Sequence, residues 1–269
     1  MFGILMKHEI RQTIKPLATI IGASALIVVA GAVPVYLKIP VVSGIGLAVG
    51  LVAPVAMPWA ALIYLLVSYY QTMYGRVGYF TMSLPVRGRC LYLAKTLWAF
   101  LIGMFCYALM LLSLVWSASL SGDAAMRGGI SSLVDEIGWL GISVLALLLV
   151  SALPALIAQG AFVVTYGMHH RFARFGLGGP VIVGLIVYVV NQVTILAALL
   201  AIPVGVRFLP GGNTEIVGEG TWASMVRALQ GDTSAPPVIG LGVVIVYLAL
   251  AVIASVWAAR SIERHTCLR

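Results

Sequence analysis

Charge is what this sequence has least of: Asp, Glu, Lys and Arg together make up 9% of its 269 residues, against roughly one quarter in soluble domains. With 62% of the chain hydrophobic, there is too little polar surface for a water-soluble fold, and that class is excluded. Alternating segments of about ten residues, the mark of a transmembrane β-barrel, are also lacking. So are the motifs of chemistry. There is no G-x-x-x-x-G-K-[ST] phosphate loop, no H-E-x-x-H metal site, no nucleophilic-serine motif and no pair of intramembrane acids. The chain is therefore expected not to be an enzyme and to hold no metal or cofactor of its own. The adjacent His169 and His170 point about 100° apart on a helix and share their loop with Arg171 and Arg174, which reads as a solvated face rather than a chelate.

What is present is apolar length. A hydrocarbon core of about 30 Å needs roughly 20 apolar residues in a helix. Six runs qualify, approximately 17–37, 41–70, 91–119, 137–166, 177–206 and 238–259. The expected fold class is all-α: a polytopic membrane protein of six transmembrane helices forming one domain over 1–269. Residues 1–16 form a short N-terminal interfacial helix with Phe2, Met6, Ile10 and Ile14 on its apolar face, ended by Pro16. Residues 71–90 form a cytoplasmic loop between spans two and three. Residues 207–237 form the longest extracytoplasmic loop, in which Pro210-Gly211-Gly212-Asn213 is a turn and Trp222, Met225, Val226 and Leu229 mark a short amphipathic helix. Ser132-Leu133-Val134-Asp135 has the form of a capping box and is expected to start the fourth span.

Orientation follows from the basic residues, which resist translocation. Twelve of the sixteen fall on one side of the six spans, and only Lys38, Arg127, Arg207 and Arg227 on the other, together with six of the eight acids. The twelve-residue side is expected to be cytoplasmic, with both termini inside, in the plasma (inner) membrane of a bacterium. Ala30-Gly31-Ala32 has the form of a signal-peptide cleavage site. The apolar run continues past it to Leu37, however, so the first span is expected to be retained. In this frame Cys90, Cys106 and Cys267 lie in no oxidising compartment and should be free thiols. The net charge of +8 is spread over inner loops and implies contact with anionic lipid but no nucleic-acid partner.

Within the spans Lys95 is the one charge, a turn inside the third, from where its long side chain is expected to snorkel to the surface. Polar groups are few: Gln159 in the fourth span and Asn191, Gln192 and Thr194 in the fifth. Trp59 lies mid-span beside Pro54 and Pro58, a pair expected to kink the second helix. Trp59, Asn191 and Gln192 are the candidates for a substrate path, with interhelical hydrogen bonding as the plainer role of the two amides. Gly46 and Gly50 form a G-x-x-x-G of little weight in a chain so rich in glycine.

The loop after the second span reads Gly78-Tyr79-Phe80-Thr81-Met82-Ser83-Leu84-Pro85-Val86, then Arg87 and Arg89, with Lys95 entering the next span. It resembles the permease subunits of type-2 ATP-binding-cassette (ABC) transporters, whose loop commonly reads Gly-Tyr-Leu-Thr-x-Thr-Leu-Pro-Val followed by such a lysine. Phe80 and Ser83 depart mildly from that pattern, and Val77 stands where an acid is often found. Lys7-His8-Glu9-Ile10-Arg11 is similar to the start common in these subunits. The resemblance implies a subunit of an ATP-driven exporter that pairs with a second, identical or paralogous, permease and with separate ABC ATPase subunits, which would hold ATP and Mg. It also implies that Arg76, Gly78, Tyr79, Phe80, Met82, Leu84, Pro85, Arg87 and Arg89 contact the ATPase, and that the second and fifth helices line the path. A path without fixed charge suits an amphipathic or hydrophobic substrate, such as a peptide, lipid or drug. The alternative is a membrane-embedded accessory or scaffold subunit with no path of its own.

Overall fold

The computed structural model describes residues 2–37, 39, 42–75, 78, 87–120, 124–168, 175–176, 178–209, 213–230 and 238–264. It contains six helices long and apolar enough to cross a membrane, which makes this a multi-pass membrane protein of the all-α class. They are α1 (Phe2–Tyr36), α2 (Val42–Met73), α3 (Gly88–Leu120), α4 (Ala124–Gly167), α5 (Gly178–Ala201) and α7 (Gly242–Arg264). Between α5 and α7 the chain forms β1 (Gly205–Leu209), β2 (Asn213–Val217), the short helix α6 (Thr221–Leu229) and β3 (Val238–Gly240).

The helices alternate in direction, as side-chain contacts at their ends require. Near one end, the start of α3 meets the end of α7, where a Cβ on Gly88 would come within 2.8 Å of Ile262. The hydroxyls of Tyr69 on α2 and Thr165 on α4 are 2.9 Å apart there. This is the loop end, where α2 leaves toward residues 76–87. At the other, sheet end, the end of α5 meets the start of α7, with Gly242 packed on Ile202. A core of Tyr69, Met73, Leu91, Tyr92, Val164, Met168 and Ile262 fills the loop end, and Leu17, Met57, Ala61, Leu65, Ala99 and Cys106 join α1, α2 and α3 at mid-depth. Cys90 and Cys106 are free thiols; Cys267 lies outside the described residues.

Several boundaries differ from the sequence reading. Residues 2–16 are helical, but Pro16 does not end the helix: α1 continues through it to Tyr36. An interior proline costs a helix about 3 kcal/mol, an expense met where leaving the helix would strand backbone groups beside lipid and where Thr13 and Leu17 are buried on either side of the proline. The apolar stripe is not the buried face. Glu9, Thr13 and Leu17, at i, i+4 and i+8, are buried, whereas Phe2 and Ile14 are exposed. In a membrane the lipid is as apolar as the core, so polar side chains face the protein.

The capping box does not start a helix, because the chain is already helical from Ala124, and the apolar span itself is Gly141–Gly167. The interruption falls at Gly138 (φ 66°, ψ 169°), a backbone region that essentially only glycine enters. In α2 the chain stays helical through Pro54 and Pro58, which are both buried. The run expected to reach Val206 stops being helical at Ala201. Val206 instead lies in the central strand of the antiparallel sheet β2-β1-β3, with Leu209 opposite Asn213 across the hairpin.

Gly46 deserves more weight than its sequence context suggests, and Gly31 is its partner. A Cβ on Gly31 would lie 2.6 Å from the Gly46 carbonyl oxygen, and one on Gly46 would run into Gly31's carbonyl and Pro34. Ser117 adds a bond to the Gly50 carbonyl at 3.3 Å. Gly46→Val should therefore force α1 and α2 apart and cost about 1–3 kcal/mol or more, as overpacking does, seen as a lowered denaturation midpoint in detergent; Gly44→Val, with open space around it, should leave the midpoint unchanged.

The sheet end is tied by charge. Glu219 accepts a hydrogen bond from Arg227 of α6 and another from Arg207 of β1 at 2.7 Å. The Arg227 bond, and after it the Arg207 bond, hold its carboxyl below the usual carboxylate range. A depressed carboxylate stabilises the fold above its unfolded pKa, and the contribution is lost as pH falls through the folded value. Protection of the α6 amides against hydrogen exchange should therefore hold above the ordinary carboxylate range and fall as pH drops through it toward the lowered folded value, and Glu219→Gln should reduce that protection at neutral pH too. The apolar face of α6 remains open, with Trp222, Met225 and Leu229 all exposed.

Candidate functional site

Lys95 does not snorkel. Two turns into α3, it is 7% exposed, as is Glu9, and its ammonium lies 2.6 Å from the Glu9 carboxylate. It also donates to the Thr72 hydroxyl at 2.9 Å. Thr72 in turn donates to the Ser68 carbonyl at 2.7 Å. On α1, Thr13 donates to the Glu9 carbonyl at 2.8 Å and accepts from the Trp98 indole at 2.8 Å. Five side chains thus bind the first turns of α1, the last turns of α2 and the first turns of α3 into one hydrogen-bonded junction. The reason is local: an isolated charge at this position would be uncompensated, and a buried charge persists only when paired and hydrogen-bonded. Sequence reasoning missed this pair because its members are 86 residues apart.

A cleft of about 350 Å³ adjoins the junction, lined by residues of α1 to α5. Glu9, Lys95 and Thr96 lie toward its loop end, and Trp59, Tyr188, Gln159 and Asn191 line it nearer mid-depth. Two glycines leave it open. A side chain at Gly160 would meet Leu66 at 3.2 Å, and one at Gly184 would meet Val163 at 3.5 Å. Gln159 and Asn191 bond each other reciprocally, amide to carbonyl, at 3.2 and 2.5 Å. Each amide satisfies the other across the α4–α5 contact, which is how a polar group survives at that depth.

Of the three candidates for a substrate path, the structure brings Trp59 and Asn191 together in this lining. Gln192 is not brought in: it is exposed, one residue around the helix from Asn191. Gln159, noted in the sequence as a polar group of the fourth span, takes its place. Trp59 is 51% and Tyr188 60% exposed, so the cleft opens sideways between α2 and α5.

Among the loop candidates, Arg76, Tyr79, Phe80, Met82, Leu84 and Pro85 lie outside the described residues, as do His169 and His170. Gly78 donates its N–H to the Gly75 carbonyl at 2.9 Å. Arg87 is exposed, and its carbonyl accepts the N–H of Cys90 at 2.9 Å as α3 begins. Arg89 sits 3.2 Å from both carboxylate oxygens of Glu263 on α7. That pair is largely exposed and contributes about 0–1 kcal/mol, so it positions more than it stabilises. No group of three or more His, Cys, Asp or Glu side chains that could hold a metal occurs among the described residues.

No family model matches the chain, and neither does any curated protein or solved structure.

Proposed function

We propose that this membrane protein is the transmembrane subunit of an ATP-driven exporter of the type-2 ABC kind, seated in the plasma (inner) membrane of a bacterium with both termini in the cytoplasm. It works with a second permease, identical or paralogous, and with separate ATPase subunits that bind ATP and Mg. The observation that carries this reading is the buried Glu9–Lys95–Thr72 junction. It ties the last turn of α2, after which the chain enters residues 76–87, to the first turns of α3, which follow them. Force applied to the loop from outside would reach α2 and α3 as one unit, and both helices line the cleft. Arg89 and Gly88 extend the coupling to α7.

The aromatic and apolar character of Tyr79, Phe80, Met82 and Leu84 suits a surface covered by a partner. Arg76, Arg87 and Arg89 supply charges for its rim. The cleft of about 350 Å³ between the helices supports a transport path over a pure scaffold, which would need no such space. The chain purified in mild detergent should bring with it a protein carrying a phosphate-loop motif and should hydrolyse ATP. A chain that assembles with other membrane proteins but never with an ATPase would instead be the accessory subunit.

A further inference from the structure

We infer that the cleft between α2, α3, α4 and α5 selects an uncharged amphiphile of small-molecule size, with an apolar body and a hydroxyl, ester or amide head, entering sideways from the hydrocarbon. The inference deepens the transport reading and rests on it for the cleft as a path. Charge decides the class. Among the described residues, Glu9 and Lys95 are the only charged side chains in the lining, and they pair with each other at 2.6 Å. An anion or cation placed there would give up its hydration with no free opposite charge to meet it. A neutral head loses less and has partners.

Gln159 and Asn191 each present two N–H donors and an oxygen with two acceptor lone pairs, and each spends one of either kind on the other. A ligand hydroxyl or amide can take the remaining valences or insert between the two. The walls around them are apolar, with Trp59 and Tyr188 exposed at the mouth. A volume of about 350 Å³ falls at the small end of ligand sites, about 300–1,000 Å³, which fits a single chain or small ring system and not a folded peptide.

The test uses the full chain in nanodiscs and a dibrominated monoacylglycerol, whose bromines quench a tryptophan they touch. The matching dibrominated fatty acid and alkyltrimethylammonium are the charged comparators. Trp59 quenching is isolated by subtracting the signal of Trp59→Phe. The neutral probe should quench saturably and at least tenfold more tightly than either comparator. That preference should fall below threefold in the Gln159→Leu/Asn191→Leu double variant, which removes both partners together and leaves neither unpaired. A charged probe that binds as tightly as the neutral one overturns the inference, as does quenching that rises without saturation. Retained preference in a folded double variant overturns the assignment of the head to the amide pair. The two readings fail separately: a neutral probe held by a chain that captures no ATPase sinks the transport reading alone, and a charged probe held by a chain that does capture one sinks the ligand class alone.

Discussion

Lys95→Met is expected to destabilise the protein by about 3–5 kcal/mol, because it leaves the Glu9 carboxylate buried without its counter-charge. Glu9→Leu alone should cost a similar amount by stranding the ammonium. The double variant Glu9→Leu/Lys95→Met should recover most of the loss, since replacing both members of a buried pair by apolar groups of similar size is often neutral. Two features favour that recovery. Thr72 keeps its bond to the Ser68 carbonyl, and Thr13 keeps Trp98. Denaturant titration in mixed micelles reads all three. If Lys95→Met is as stable as the parent, the carboxylate is reached by water or headgroups and the junction is not a structural unit. The double variant also separates packing from coupling: stable as the parent, it should nevertheless hydrolyse ATP with reduced substrate transport, because α1 is no longer fastened to the ends of α2 and α3.

The helices of this fold are legible because hydrocarbon thickness sets one length and the chain offers six apolar runs of it that carry a single charge between them. What hydropathy does not see is direction around the helix. At the start of α1 hydropathy shows the apolar stripe of Phe2, Met6, Ile10 and Ile14 but not which side packs on the protein, and Glu9 and Thr13 are the buried residues. The pairing of Glu9 with Lys95 had one usable clue. The basic-rich side holds only two of the chain's eight acids, Glu9 and Glu263, and both pair with a base at the start of α3. Scarce acids amid many bases find partners.

The sheet also left a signal that hydropathy overrode. From Val206 to Val217 apolar or β-branched residues flank Arg207 and Glu215 on either side of Pro210-Gly211-Gly212, the pattern of a hairpin with a short loop, yet hydropathy alone carries Val204 and Val206 into the fifth span. Of the cleft, Trp59 and Asn191 could be read in the sequence as misplaced polar or amphipathic groups. Gln192 could not be told from Asn191 without the rotation of α5. The Gly31–Gly46 crossing needed the partner helix to become visible.

The second large effect is expected at the loop itself. Tyr79 and Phe80 offer large contact area at low conformational cost, the make-up of an interface anchor, and truncating an anchor typically costs at least about 2 kcal/mol. Tyr79→Ala or Phe80→Ala should therefore weaken association with the ATPase about thirtyfold, whereas Arg87→Ala, at an exposed rim position, should change it less than threefold. The fold should be unaffected in all three, since the described junction is built from Glu9, Thr13, Thr72, Lys95 and Trp98.

Central to this account is that residues 76–89 carry the action of an ATPase into α2 and α3, and the most direct measurement is ATP hydrolysis and substrate movement by the complex reconstituted in vesicles, compared between the parent chain and Tyr79→Ala/Phe80→Ala. The account predicts that the double variant loses the ATPase at working concentration, or keeps it while hydrolysis no longer drives transport. Normal assembly, hydrolysis and transport in that variant would contradict it and leave the loop as a turn resting on lipid headgroups.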